Sequence, residues 1–406
     1  MTLFEDLKWR GLIKDITSPE LEKKLNEGGM TFYIGTDPTA DSMHIGHYSS
    51  FLISKRLAKY GHHPLLLIGG ATGIIGDPRP TTEREMKTIE EIEKNTEGLT
   101  KQAESIFGFE VVNNWDWSKD VNFIDFLRDY GKFFNINYML DKDIIRRRLD
   151  TGITYTEFSY MIMQAMDFLH LFEERNCTLQ VAGSDQWGNI TAGVDLIRKK
   201  TGKEAYGFTM PLILDKDGKK FGKSEGNALW LDKNKTSSYE LYQYLINTDD
   251  ELVIDYLKKL TFLTKEEIEK IEKEHKENLE KRIAQQELAK QVITDLRGEE
   301  EYLHAKEVSE CLFTVKISSL TDQEIETVFK DMPTFSYEEK PLIDLLVNNK
   351  IASSKREARE FLQNNAINVN GECVTDENFL LDNTRTYNII RRGKKKYFVF
   401  KKKLEK

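Results

Sequence analysis

Residues 63–70 read HPLLLIGG, four consecutive aliphatic side chains (65–68) between a proline and a glycine pair. A strand of that kind has no polar face, so both of its faces must be covered, as in a parallel sheet flanked by helices. The residues before it complete the pattern. MTFYIG (30–35) is short, aromatic and aliphatic, as strands prefer. DPTADS (37–42) supplies turn formers and a capping Asp or Ser. HIGHYSSFLISKRLAKYG (44–61) has apolar residues at helical spacing and stops on Gly61. Strand, loop, helix and strand make a βαβ unit, which predicts an α/β fold with a doubly wound parallel sheet in the first half. LQVAGSDQWGN (179–189) and the run to about Lys200 repeat the order.

A chain of 406 residues has room for two or three domains with a sizeable core. No apolar run exceeds four residues, far short of a membrane span. The first residues, MTLFEDLKWRGLI, carry acids and no long apolar stretch, so no secretory signal is expected. The three cysteines, Cys177, Cys311 and Cys373, form no CxxC pair and no disulfide framework. A reducing compartment, the cytoplasm, is the expected location, with no membrane partner.

The pattern changes along the chain. Residues 1–235 hold the strand–helix repeats. Residues 236–312 are rich in Glu, Lys, Leu and Ile at helical spacing and read as a helical domain. Residues 313–340 are mixed and polar and read as a linker. Residues 341–406 restart as a small helix-then-strand module with 14 basic and 8 acidic residues. The last sixteen, 391–406, carry a net charge of +8 inside a chain whose total is −9. An acidic body with a basic end predicts a polyanion as partner, although a solvated lysine tail has the same composition.

Three stretches can carry chemistry. HIGH (44–47) opens the first helix with His44 and His47 three residues apart, on one face. A helix N-terminus attracts phosphate, two imidazoles can donate to phosphoryl oxygens, and Gly46 leaves room for a ligand against the backbone. Two structural histidines would look the same. A metal pair would too, but HExxH is absent and no third ligand is near, so no resident metal is expected. KFGKS (220–224) follows the turn DKDG, and Lys220 and Lys223 can neutralise a polyphosphate from a mobile loop. A Walker motif would need Gly at 217, where Asp217 stands. GGATGIIGDP (69–78) ends the second strand, where glycines admit a ligand and Asp77 can bind an ammonium group.

HIGH and KFGKS, in this order and roughly 175 residues apart, resemble the two signatures of class I aminoacyl-tRNA synthetases. YIGTDPTADSMHIGH (33–47), TEFSYMIMQAMDF (156–168), GSDQWGNI (183–190) and KFGKSEGNALWLD (220–232) narrow this to a resemblance with bacterial tyrosyl-tRNA synthetases. It runs the full length, including the C-terminal SSKREAREFLQNNAINVNGE (353–372). KFGKS for the family's KFGKT, Ala182 for a glycine, Met166 for an aromatic and GDPRPTTER for GDPSGK are departures. None removes a charged or hydroxyl group from the implied pocket.

The resemblance implies that Tyr33 and Asp167 hold a tyrosine phenol and that Asp77, Tyr160 and Gln164 hold its ammonium group. Gln186 would orient the substrate and Gln180 would stand behind those that touch it. Tyr160, Gln164 and Asp167 are spaced four and three apart, one helical face. Gly35, Asp37, Thr39, Gly46, Gly183 and Asp185 would handle ATP. His44, His47, Lys220, Lys223 and Ser224 would grip its polyphosphate in the transition state, with Mg2+ arriving as part of the ATP substrate. The helical domain would lie on the anticodon side of a bound tRNA. Arg146, Arg147 and neighbouring Arg148 are expected at its acceptor stem, and Lys355, Arg356, Arg359, Arg391, Arg392 and Lys394 elsewhere on it. A homodimer is implied, with an insert in the catalytic half as interface. A tryptophan enzyme would not need the Tyr33/Asp167 pair, and a nucleotidylyltransferase would not need KFGKS with a basic tail. An RNA-binding protein on a retired synthetase body would usually have lost a signature histidine or lysine.

Overall fold

A computed structural model describes residues 1–77, 87–224, 227–311, 315–330, 332–393 and 396–403, without the side chains at 143–144, 223–224, 227, 311 and 315–316. It divides into two compact units, residues 1–235 with 249–284 and residues 236–248 with 285–406. Among the described residues no helix is long and apolar enough to cross a membrane.

The first unit is built on six strands: β1 (Asp15–Ile16), β2 (Thr31–Thr36), β3 (His63–Ile68), β4 (Glu110–Asn113), β5 (Cys177–Gly183) and β6 (Tyr206–Met210). Their spatial order is β1-β6-β5-β2-β3-β4, all parallel except the short β1. The chain winds outward from β2 through β3 to β4, then returns to start β5 on the other side of β2. Strand order therefore reverses between β2 and β5, where such sheets bind ligands. Tyr33 and Gln180 face each other in register at that junction.

Four helices position the site: α1 (Ile45–Ala58), α2 (Ile89–Gln102), α3 (Tyr155–Arg175) and α4 (Trp187–Thr201). Phe168, Leu169 and Ala165 of α3 are buried against Tyr33, Leu65 and Leu67 of the sheet, and Ala192 and Leu196 of α4 join the same core. Met166, a departure from the family pattern, lies in this core. The capping residue of α1 is not the Asp or Ser expected from DPTADS. It is His44, whose Nδ1 accepts the Gly46 N–H (3.1 Å), while His47 Nδ1 accepts the His44 N–H (3.1 Å). Imidazole nitrogens thus do what a carboxylate or hydroxyl does elsewhere.

The helical region does not stay together. α5 (Val253–Leu260) and the helix Lys265–Glu277 belong to the first unit. Two buried arginines explain the attachment of α5. Arg10 donates to the carbonyls of Lys258 (2.9 Å) and Leu263 (2.7 Å), and Arg56 donates to those of Lys259 (3.3 Å) and Thr261. They satisfy orphan carbonyls at the helix C-terminus and meet its negative dipole end.

The second unit carries a five-stranded sheet: β9 (Thr334–Tyr337), β10 (Ile367–Val369), β11 (Glu372–Cys373), β12 (Tyr387–Arg392) and β13 (Lys396–Lys402), after the small hairpin of β7 (Lys223–Ser224) and β8 (Asn227–Ala228) in the first unit. The order is β11-β10-β12-β13-β9. β9 comes from the stretch expected as a linker and pairs in parallel with β13. Its TFSY sequence is too short for periodicity to reveal it. Ile390 and Phe400 face helices α6 (Leu342–Asn348) and α7 (Lys355–Gln363), while Ile389 and Val399 face Ile325 and Phe329, so both faces of the sheet are covered.

Replacing Arg10 by Ala should remove the donor to the Leu263 carbonyl and leave the Lys258 carbonyl with the longer bond from Arg56 (3.4 Å). A loss of about 2–4 kcal/mol in the stability of the first unit is expected from urea unfolding, and no loss would mean that water replaces the guanidinium.

Candidate active site

A cavity of about 380 Å³ opens toward the carboxyl ends of β2 and β5. Its inner end is Tyr33, Gln180 and Asp167, each 2% exposed or less. Asp167 accepts hydrogen bonds from Asn114 Nδ2 (2.9 Å) and Trp117 Nε1 (2.8 Å). Burial pushes its pKa up to about 7, and these two donors act against the rise. The Trp117 ring stacks on His170 at 4.3 Å. The Tyr33 hydroxyl and Gln180 Oε1 are buried and have no partner among the described residues. Gln180, expected to stand behind the site, is part of the cavity wall.

Tyr160 and Gln164 enter from the same face of α3. The Tyr160 hydroxyl donates to Asp37 Oδ2 (3.1 Å), and Thr72 Oγ1 donates to Asp37 Oδ1 (2.9 Å). Burial, with Asp37 and Asp77 nearby, holds the Tyr160 phenol well above its ordinary pKa, so it stays a donor. Asp77 accepts from Gln186 Nε2 (2.9 Å). Asn189 donates to Gln164 Oε1 (3.0 Å) and Gln186 Oε1 (2.8 Å), which fixes both amides.

Gly35, Thr39, His44, His47, Asp185 and Lys220 line the outer part. The two imidazoles are 4.0 Å apart, centroid to centroid. Because each Nδ1 accepts a backbone N–H, the neutral ring carries its proton on Nε2, which makes both histidines Nε2–H donors. Burial, with His44 alongside, pulls the His47 pKa down to about 3. Lys220 Nζ lies 3.8 Å from Asp185 Oδ2 at the exposed mouth.

A second cavity of about 400 Å³ shares Gly35, both histidines and Asp185 with the first. It runs past Gly46 and Gly183 to an apolar wall of Phe51, Met210 and Leu212, a slot for a flat ring. The two signature stretches interlock beside it. Gly222 has φ +89, and a Cβ there would stand 2.2 Å from Ile45 Cγ2 and 3.2 Å from the Gly46 nitrogen. Only glycine permits that approach. The Ile45 N–H donates to the Leu229 carbonyl (2.8 Å) and the Leu231 N–H to the Met43 carbonyl (2.8 Å).

Sequence reasoning missed Asn114, Trp117, Thr72 and Asn189. Asn114 is fully buried. It accepts from the Ala71 N–H (2.7 Å) and donates to Thr72 Oγ1 (3.1 Å) as well as to Asp167. Its only sequence signal is its place in NNWDW (113–117) after a short strand.

The family model for class I tRNA synthetases (W and Y) matches residues 25–314, and a tyrosine–tRNA ligase SYY-like C-terminal domain model matches residues 324–400. A tyrosine–tRNA ligase of Listeria innocua is 49% identical over 98% of this chain and 99% of its own length. A tyrosine–tRNA ligase 2 of Bacillus cereus is 49% identical over 99% of each. The C-terminally truncated mitochondrial tyrosyl-tRNA synthetase of Aspergillus nidulans superposes with a TM-score of 0.68 at 32% identity, covering 77% of this chain and 94% of that one. The chain belongs to the class I tRNA synthetases of the W and Y type. A tryptophanyl-tRNA synthetase of Encephalitozoon cuniculi shares the fold (TM-score 0.56, 16% identity, 74% of this chain and 87% of that one).

The basic residues expected of a synthetase at its RNA are dispersed. Arg146 and Arg147 are exposed beside a separate cavity of about 600 Å³, with Arg146 paired to Asp141. Arg148 is not available. It is buried in an ion pair with Glu157 (3.1 Å), both side chains 5% exposed or less. In the second unit Lys355 pairs with Asp344 (2.6 Å) and Arg359 with Glu377 (2.5 Å), while Arg356 is exposed. Arg391 donates to Asn368 (3.1 Å), and Arg392 lies over the Phe361 ring at 5.3 Å. The side chains of Lys223 and Ser224, and all of Lys394, lie outside what is described.

Asn114→Ala should remove a donor that favours the Asp167 carboxylate. The Asp167 titration midpoint, followed by carboxyl carbon chemical shift, should then move above about 7. A midpoint at or below that of the unaltered chain would rule Asn114 out as its partner.

Proposed function

We infer that this chain is a tyrosine–tRNA ligase. The tyrosine carboxylate oxygen attacks the α-phosphorus of ATP, the bond to the bridging oxygen breaks, and pyrophosphate leaves with its Mg2+. The 3′-terminal ribose hydroxyl of tRNA(Tyr) then attacks the acyl carbon and AMP leaves.

One observation supports tyrosine above its rivals. The Tyr33 hydroxyl is buried, with no partner among the described residues, in the same cavity wall as Asp167, whose charge acts on it. An unpaired buried hydroxyl is costly, and a substrate phenol would satisfy it by accepting from Tyr33 and donating to Asp167. A phenylalanine ring would leave the Tyr33 hydroxyl without a partner and bring Asp167 no further donor, so discrimination needs no editing site. Asp77, Tyr160 and Gln164, braced by Gln186, suit the ammonium group. With the ammonium group there, the carboxylate would point toward Thr39 and the two histidines, where the α-phosphate would lie. Their Nε2–H groups, Lys220 and, by family resemblance, Lys223 and Ser224 would stabilise charge on the phosphates. Gly46, Gly183 and Asp185 would take the adenosine along the apolar slot.

Phe123, Ile124, Ile136 and Tyr155 are each more than half exposed between β4 and α3. Exposed apolar side chains on the catalytic half suit a homodimer interface. The exposed Arg146, Arg147 and Arg356 suit tRNA phosphates, and the enzyme would work in the cytoplasm where its tRNA is charged. Residues 1–235 would carry the catalysis, and the basic residues beyond 340 would serve the RNA-binding module whose sheet begins with β9.

Pyrophosphate exchange across the twenty amino acids, without tRNA, tests the reading. Exchange is expected with tyrosine alone. Another amino acid would overturn the pocket assignment, and none would favour an RNA-binding protein on a synthetase body. kcat/KM for tyrosine should rise with pH through about 7, as Asp167 becomes the carboxylate that accepts the phenol proton. Asp167→Asn should remove this inflection and erode the preference for tyrosine over phenylalanine. For tRNA, Arg356→Ala should lower the slope of log K against log salt by about 0.7–0.9 if it neutralises one phosphate, and an unchanged slope would remove it from the interface.

A further inference from the structure

We propose that Asn95, Gly98 and Gln102 form a positioning face on α2 that sets the His44/His47 pair for the adenylation step. This deepens the tyrosine-activation reading and rests on it.

The three residues are spaced three and four apart, so they share one face of the helix. That face meets residues 38–43, the irregular stretch leading to His44. Asn95, 9% exposed, donates from Nδ2 to the Pro38 carbonyl (3.0 Å), between Asp37 and Thr39. Gly98 lies so close to the loop that a Cβ would stand 2.3 Å from the Asp41 carbonyl oxygen. Gln102 Oε1 accepts the Met43 N–H (2.6 Å), and its Nε2 donates to Ser42 Oγ (2.9 Å). Helix and loop therefore run in register, turn by turn, up to the residue before His44.

Residues 37–43 have no ladder to satisfy their backbone, so these side chains do it. On the other side the loop meets the segment after KFGKS through the Leu231 N–H and an ion pair between Lys235 and Asp41. One side is α2, and the other is the segment that follows the polyphosphate lysines. Because Met43 precedes the His44 cap, its placement sets where both imidazoles stand. Misplacing such donors by about an ångström costs rate out of proportion to binding.

The test uses the full chain. It combines single-turnover tyrosine activation with equilibrium tyrosine binding for Gly98→Ala, Gln102→Ala, Gln102→Glu and Thr88→Ala. Gly98→Ala and Gln102→Ala should slow activation by about tenfold or more while the tyrosine Kd stays within about twofold. Gln102→Glu keeps an acceptor for the Met43 N–H and should recover the rate to within about threefold. Thr88→Ala weakens the helix cap without touching the loop and should leave the rate unchanged. Three results overturn the proposal: rates within about twofold of the unaltered chain, equal slowing by Thr88→Ala, or a parallel loss of tyrosine binding. If Gly98→Ala does not fold, the two Gln102 variants decide. Absence of tyrosine-dependent exchange by the unaltered chain would overturn the underlying reading instead.

Discussion

The structure of the site depends on a carboxylate buried without a cation. Asp167 stands on a core helix, 2% exposed, and among the described residues its hydrogen-bond partners are the neutral Asn114 and Trp117. A charge so placed survives only by accepting hydrogen bonds, and Asn114 and Trp117 supply them from the far end of β4. Asn114 is itself held by the Ala71 N–H and Thr72, and Thr72 holds Asp37, which holds Tyr160. One network thus spans the inner and middle parts of the cavity. A change at Asn114 reaches the phenol end through Asp167 and the ammonium end through Thr72 and Asp37, so the two ends are not independent.

The second constraint is steric. Gly222 lies against Ile45 and Gly46 at a distance no side chain allows, and backbone hydrogen bonds from residues 229–231 continue the contact. The two signature stretches therefore touch at Gly222, against the Ile45 side chain and the Gly46 main chain. With both Nδ1 atoms accepting backbone N–H groups, the imidazoles carry their protons on Nε2, and the loop carrying Lys220 is anchored beside them. A loop anchored at its base can move at its tip, which suits lysines that act as charge develops.

Much of this was legible in the sequence because it obeys local rules. The βαβ unit at 30–70 announces itself by an apolar run, turn formers and helical spacing, and the strands and helix fall where those signals put them. Tyr160, Gln164 and Asp167 are picked out by the family resemblance, and their spacing puts them on one helical face. What was not legible depends on contacts between distant segments. His44 reads as the first residue of the HIGH motif, yet it replaces a capping Asp or Ser because its ring reaches forward to the Gly46 N–H. Arg148 belongs to a basic triplet, but Glu157 at the start of α3 draws it inward. β9 is four residues of mixed polarity that become a strand only because β13 offers an edge. α5 departs from its neighbouring helices because Arg10 and Arg56 cap it from the first unit.

The charge along the groove orders the substrates. Asp37, Asp77 and Asp167 make the inner and middle parts acidic, whereas Lys220 and the imidazole donors stand at the mouth. On the proposed reading, a zwitterionic amino acid entering this gradient would turn its ammonium group toward Asp77 and leave its carboxylate facing outward. A polyphosphate would be repelled by the acidic interior and held at the mouth by Lys220 and by imidazole Nε2–H donors, of which His47 is neutral. Neutral donors hold an anion less tightly in its ground state than imidazolium would, yet they strengthen as charge builds on the oxygens. Keeping His47 neutral down to about pH 3 is therefore consistent with a site that favours the transition state over bound ATP.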